Sequence, residues 1–176
     1  MMSATTGIDF ATLSLQDALD LAILIEEEAR ERYEEFADQM DLHHTPEAAR
    51  FFRFMAGNEE KHRRALAARR HERFGDAPSL VTRSMIFDVE APDYDEARAF
   101  MTARAALAAA LRSEEKAHAF FLAALPRLKD PDVRILFEEL QNEEVEHQEL
   151  VRRQLAAAPP DPELSGDDLA DDPVGH

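Results

Sequence analysis

The sequence predicts an all-α protein: a bundle of four long helices with one long crossover between the second and the third. Three observations carry that expectation. The 176-residue chain is rich in Ala, Leu, Glu and Arg and has only five glycines, which favours helix throughout. Apolar residues recur along four stretches with the period of an amphipathic helix. Caps and breakers fall between those stretches, where helices begin and end. The length fits one domain with a sizeable core. Residues 1–13 are read as an N-terminal extension, 14–157 as the bundle and 158–176 as a tail.

Each helix has its own start and stop signals. Ser14 can cap the first helix, with Asp17 at its third position, close to a capping box. That helix runs to about Asp41, and His43, His44 and Thr45 make a short turn. Thr45 caps the second helix, and Pro46 takes the first position, where a missing N–H is harmless. Gly75 serves as its stop. Residues 76–92 contain helix breakers (Pro78, Ser79, Thr82, Pro92) among apolar residues such as Leu80, Val81 and Ile86. This segment is expected to lie against the bundle as a long connection. Asp93, with Glu96 three residues on, opens the third helix, which ends near Leu125 before Pro126. Asp130 caps the fourth, with Pro131 first, and that helix ends near Ala157. From Pro159 the chain is acidic and rich in Pro and Gly, so a disordered tail without a fifth helix is expected.

Charge and composition exclude several classes of function. Against 20 basic residues stand 37 acidic ones, a formal charge of −17. Nucleic acid and anionic membrane surfaces both reward positive charge, so neither is an expected partner. No apolar run reaches membrane-spanning length, and the N-terminus lacks a signal-peptide pattern, so a cytoplasmic protein is expected. Without a single cysteine there can be no disulfide, iron–sulfur cluster or thiolate-bound zinc. Any metal must rest on oxygen and nitrogen ligands, which suit iron, manganese or zinc.

The chemistry lies in glutamates that interrupt the apolar stripes. In the first helix the stripe Leu15, Leu19, Ala22, Glu26, Ala29, Tyr33, Ala37, Met40 contains one charge, Glu26. The second carries Phe52, Met55, Glu59, His62 and Leu66; the third Leu107, Leu111, Glu114 and Phe121; the fourth Phe137, Leu140, Glu144, His147 and Val151. In Glu59-x-x-His62 and Glu144-x-x-His147 the i, i+3 spacing puts each imidazole on the same side as its carboxylate. The two halves also repeat, with offsets of 88 residues from Glu26 to Glu114 and 85 from Glu59 to Glu144. An approximate two-fold relation would gather these side chains around one point. Four buried carboxylates at one level would repel one another and resist desolvation. Two divalent cations resolve both problems.

Other residues carry weaker signals. A single Glu-x-x-His is common by accident in so acidic a helical chain, and only the six together are specific. Glu27, Glu28, Glu60, Glu115 and Glu143 fall off the stripes and are read as solvated. Tyr33, two turns after Glu26, is placed to hydrogen-bond a ligating carboxylate or to act as a redox group, with core packing as the competing reading. His118 lies one turn from Glu114, and a supporting or surface role outweighs a ligand role. The doublets Arg63–Arg64, Arg69–Arg70 and Arg152–Arg153 are read as solvated faces. Phe51, Phe54, Phe120 and Leu136 are read as outward residues that allow a homodimer.

Glu26 with Tyr33, Glu59-x-x-His62, Glu114 and Glu144-x-x-His147 together resemble the ferritin-like superfamily, specifically the rubrerythrin-related proteins, over about residues 14–157. Two short turns flanking a long crossover match that fold. The resemblance implies that Glu26, Glu59 and His62 hold one iron and Glu114, Glu144 and His147 the other, with Glu59 and Glu144 as candidate bridges. It implies a non-haem di-iron oxidoreductase reacting with dioxygen or hydrogen peroxide, by ferrous iron oxidation or peroxide reduction, and needing an external electron donor. The sequence departs from the family at two places. It has no cysteines for a rubredoxin-like iron site, and Ala117 stands where rubrerythrins carry a further glutamate. A metal-binding or adaptor protein with little turnover and a di-manganese catalase-like enzyme are the alternatives.

Overall fold

The computed structural model describes residues 7–86, 89 and 102–161. Among them the chain forms four α-helices, α1 (Leu15–Leu42), α2 (Pro46–Phe74), α3 (Ala103–Ala124) and α4 (Pro131–Ala157), with single 3₁₀ turns at Arg83–Met85 and Leu125–Arg127. The architecture is an all-α four-helix bundle with a long crossover between α2 and α3. Backbones approach most closely within the pairs α1–α2 and α3–α4. Each pair is thus a helical hairpin, and the hairpins meet mainly through side chains.

The helix signals act as chemistry predicts at three ends. Ser14 Oγ accepts the Asp17 N–H at 3.1 Å. Asp130 Oδ1 accepts the N–H groups of Asp132 at 2.8 Å and Val133 at 3.3 Å. Gly75, at φ 58°, ends α2 in the left-handed region that glycine enters freely. Thr45 occupies the cap position of α2 but does not cap with its side chain. Its hydroxyl instead donates to the Met40 carbonyl at 2.9 Å, closing the turn after α1. The described part of the third helix starts at Ala103, with Thr102 as the cap that accepts the Ala105 N–H. The expected cap Asp93 with Glu96 and the acidic tail beyond residue 161 lie outside the described residues.

The core falls into two apolar clusters. One contains Leu19, Ile25, Phe121, Val133, Phe137 and Leu140, covered by Phe10 from the N-terminal segment and Ile86 from the crossover. The other contains Tyr33, Phe36, Met40, Phe52, Met55 and Val151. Along every helix the inward glutamate sits at the change from one cluster to the other. Polar side chains therefore meet at the waist of the bundle, sealed by hydrocarbon at both ends.

Two expectations about the surface are corrected. Leu136 is fully buried, not outward, because α4 buries Val133, Leu136, Phe137 and Leu140 as an arc wider than a single stripe. Arg70 is not a solvated face residue. It pairs with buried Asp20, Nε to Oδ1 at 2.8 Å, and donates to the carbonyls of Gly75 at 2.7 Å and Ala77 at 2.6 Å. This clamp ties the start of the crossover to α1. Phe54 is 52% exposed, whereas Phe120 packs partly against the core.

Candidate metal centre

All six sequence-predicted ligands converge at the waist. Glu26, Glu59, Glu114, Glu144 and His147 are buried, and Glu114 is wholly inaccessible. Their donor atoms form overlapping groups in which every atom lies within 4.8 Å of the others: Glu114–Glu144–His147, Glu59–His62–His147 and Glu26–His62–Glu143. His147 and His62 each belong to two groups. Their rings lie parallel, with centroids 5.3 Å apart and planes inclined by 8°. Both helical hairpins supply donors, so the centre lies between them.

The distances are compatible with ligands gathered around a cation as well as with ion pairs. His147 Nδ1 is 3.3 Å from Glu59 Oε1 and 3.4 Å from Glu114 Oε2, so one ring nitrogen faces two carboxylates. His62 Nδ1 is 3.8 Å from Glu26 Oε2 and 3.6 Å from Glu143 Oε2. That nitrogen is buried and makes no hydrogen bond. Ligands about 2.1 Å from a common cation stand roughly 3.0–3.4 Å apart, close to these separations. Oxygen and imidazole donors without sulfur match first-row divalent metals. The residues therefore fit a metal centre.

Electrostatics support the same view. Burial pushes the Glu26 carboxyl up to about 7, opposed mainly by a hydrogen bond with Glu59 and the charge of His147. Burial also pushes Glu114 upward, but contact with His147, Glu144 and Tyr33 outweighs it and holds this carboxyl below its ordinary value. Burial lowers His62, and the neighbouring His147 lowers it further, favouring the neutral imidazole that binds metal. Tyr33, completely buried beside Phe52, donates its hydroxyl to Glu114 Oε1. Gln148 Nε2 donates to the Glu114 carbonyl at 3.4 Å.

Three placements differ from the sequence reading. Glu143, read as a solvated neighbour of Glu144, is half-buried and belongs to one donor group. Desolvation raises its carboxyl, with Glu139 and Glu146 adding repulsion and His147 opposing both. The signal lay in helix geometry: Glu143 is four residues before His147, one turn along the same side. His62 is 29% exposed in its side chain, so it is a rim residue and not a fully inward one. His118 belongs to none of the donor groups and meets Gln141 through its Nε2 at 3.1 Å. Glu60, also read as solvated, is half-buried among arginines, outside the donor groups, and held down to about 2 by Arg63 and Arg64. No helix among the described residues is long and apolar enough to cross a membrane.

Comparison with known proteins agrees with this geometry. An uncharacterised conserved protein from Magnetospirillum magnetotacticum MS-1, known as a crystal structure, is similar with a TM-score of 0.70 and 28% identity, over 84% of this chain and 97% of that one. No curated protein matches the chain. The family model described as Rubrerythrin matches residues 17–155. That span holds every donor at the waist, in the arrangement of a ferritin-like di-metal site consistent with oxidoreductase chemistry. The chain belongs to the rubrerythrin family.

Proposed function

We propose that the protein is a non-haem di-iron oxidoreductase that reacts with dioxygen or hydrogen peroxide, oxidising ferrous iron, reducing peroxide, or both. The observation that carries this reading is the set of overlapping Glu/His donor groups buried between two apolar clusters. Glu26, Glu59 and His62 would hold one iron, and Glu114, Glu144 and His147 the other. Iron in such a donor set supplies paired electrons to an oxygen-based oxidant.

The chain's own residues prepare the site. Tyr33 fixes the orientation of Glu114 and can lend a proton at its hydroxyl, which is its proposed catalytic role. Without a cation beside it, Glu26 keeps its proton up to about pH 7, and a bound cation would displace that proton. The apolar clusters on both sides limit water and restrict the escape of reactive oxygen. With no cysteine in the sequence, electrons for turnover come from an external donor. The exposed Phe54, with Phe51 beside it, supports association as a homodimer.

A second reading, a metal-binding or adaptor protein with little turnover, is favoured by one observation. Ala117 is buried one turn after Glu114 and brings no carboxylate there. One experiment separates the two. Elemental analysis of native protein identifies iron, manganese or zinc, and anaerobic Fe(II) loading is followed by peroxide and a reductant. Repeated rapid cycles of a charge-transfer band support the oxidoreductase. A single slow event supports the second reading, and native manganese with peroxide disproportionation would identify a di-manganese catalase-like enzyme.

A further inference from the structure

We propose that Glu143 is a further cation ligand, which with His62 and Glu26 forms a solvent-facing capture position for a divalent first-row metal at the mouth of the centre. The proposal rests on the reading of the waist as a metal centre and goes beyond the six ligands assigned above.

Three observations carry it. Donor atoms of Glu26, His62 and Glu143 lie within 4.8 Å of one another. The other donors at the waist are buried, yet the side chains of His62 and Glu143 are 29% and 36% exposed. A cation arriving from solvent therefore meets these two first, between α2 and α4. Third, His62 Nδ1 is buried without a hydrogen-bond partner, 3.6 Å from Glu143 and 3.8 Å from Glu26. Those separations are too long for hydrogen bonds and a few tenths of an ångström beyond those of two ligands on one ion, so a bound cation would draw the donors slightly inward. A neutral nitrogen held between two carboxylate oxygens gains from a cation what it does not gain from either oxygen.

The helix supplies the reason for the arrangement. Successive residues of α4 point about 100° apart, so Glu144 reaches the interior while Glu143 turns toward α2 and His62. The parallel ring of His147 lies behind His62, and His147 belongs also to the innermost donor group. The three groups thus make a graded series from rim to interior, sharing one histidine at each step.

The test is a Co(II) titration of the full chain, read by ligand-field absorption, a readout independent of turnover. Wild type is expected to take up two ions. Glu143→Gln keeps the side chain's shape, and helical content by circular dichroism confirms its fold. It should weaken the second, outer phase by roughly tenfold or more and leave the first phase unchanged. Glu149→Gln removes the same charge from an exposed position on α4 and should titrate as wild type. Superimposable curves for wild type and Glu143→Gln would overturn the proposal while leaving the di-metal reading intact. So would an equal weakening by Glu149→Gln, which would assign the effect to general charge. Uptake of fewer than two ions by wild type would overturn the di-metal reading and this inference together.

Discussion

Tyr33 on α1 donates its hydroxyl to Glu114 on α3, joining the two helical hairpins at a point sealed from solvent. Phenylalanine at position 33 removes that donor but keeps the ring. A hydrogen bond to a charged buried group is worth about 1.5–3 kcal/mol, and Tyr33→Phe should destabilise the metal-free chain by that order in urea unfolding. If Tyr33 also takes part in chemistry, the iron-loaded variant should bind two ions normally and slow in its reaction with peroxide.

Glu26 sets a dependence on pH. Its carboxyl titrates at about 7 when folded, against 4.5 as a free side chain. The folded state therefore holds the proton more tightly, and the stability this contributes is complete below 4.5 and lost as pH rises toward 7. The loss is on the order of 3 kcal/mol. Glu114, shifted the other way, loses its contribution only as pH falls through the acid range. In chelator, urea midpoints should thus fall between pH 5 and 7.5. Glu26→Gln should flatten that slope, and saturating Co(II) should reverse it, because cations and protons compete for the same oxygens.

The Asp20–Arg70 clamp predicts a double-mutant result. Arg70→Met leaves the buried Asp20 carboxylate without its guanidinium and two carbonyls of the crossover without their donor. It should lower the unfolding midpoint and expose residues 76–86 to protease. Asp20→Leu added to Arg70→Met should recover much of the loss, since a buried ion pair replaced as a whole by apolar groups is often tolerated.

Leu136 and Phe54 should respond in opposite ways to truncation. Leu136→Ala opens a cavity beside Phe137 and should cost about 2–5 kcal/mol in denaturant unfolding. Phe54→Ala, at a side chain more than half exposed, should change the stability of an isolated chain by roughly 0.5 kcal/mol or less. A homodimer built on the Phe51–Phe54 face would show itself as a concentration-dependent midpoint that this second variant abolishes.

Much of this molecule was legible in its residues, for reasons that also explain the exceptions. Ser14, Pro46, Gly75 and Asp130 mark helix ends by local chemistry, which needs no knowledge of the remaining fold. Glu26, Glu59, Glu114 and Glu144 could be placed inward because each breaks an otherwise apolar stripe. Glu143, Leu136 and Arg70 were misread for one shared reason. Each sits beside the centre of a stripe, and its burial depends on how closely a neighbouring helix or the crossover approaches. Periodicity gives the direction of a side chain from its own axis. It does not give the width of the groove that receives it. Thr45 shows a second limit: its hydroxyl had two acceptable local partners, and the turn's carbonyl won.

The placement of the donors between two hairpins has a thermodynamic consequence. Backbone contact is concentrated within each hairpin, whereas two of the three donor groups, Glu59–His62–His147 and Glu26–His62–Glu143, draw on both. An ion bound across the hairpins by those groups would favour the assembled halves over the separated ones, so its concentration would enter the folding equilibrium by mass action. At a free ion level one hundred times the dissociation constant, the assembled state gains about 2.7 kcal/mol. With the centre loaded as proposed, metal supply would be a variable of the chain's persistence as well as of its chemistry.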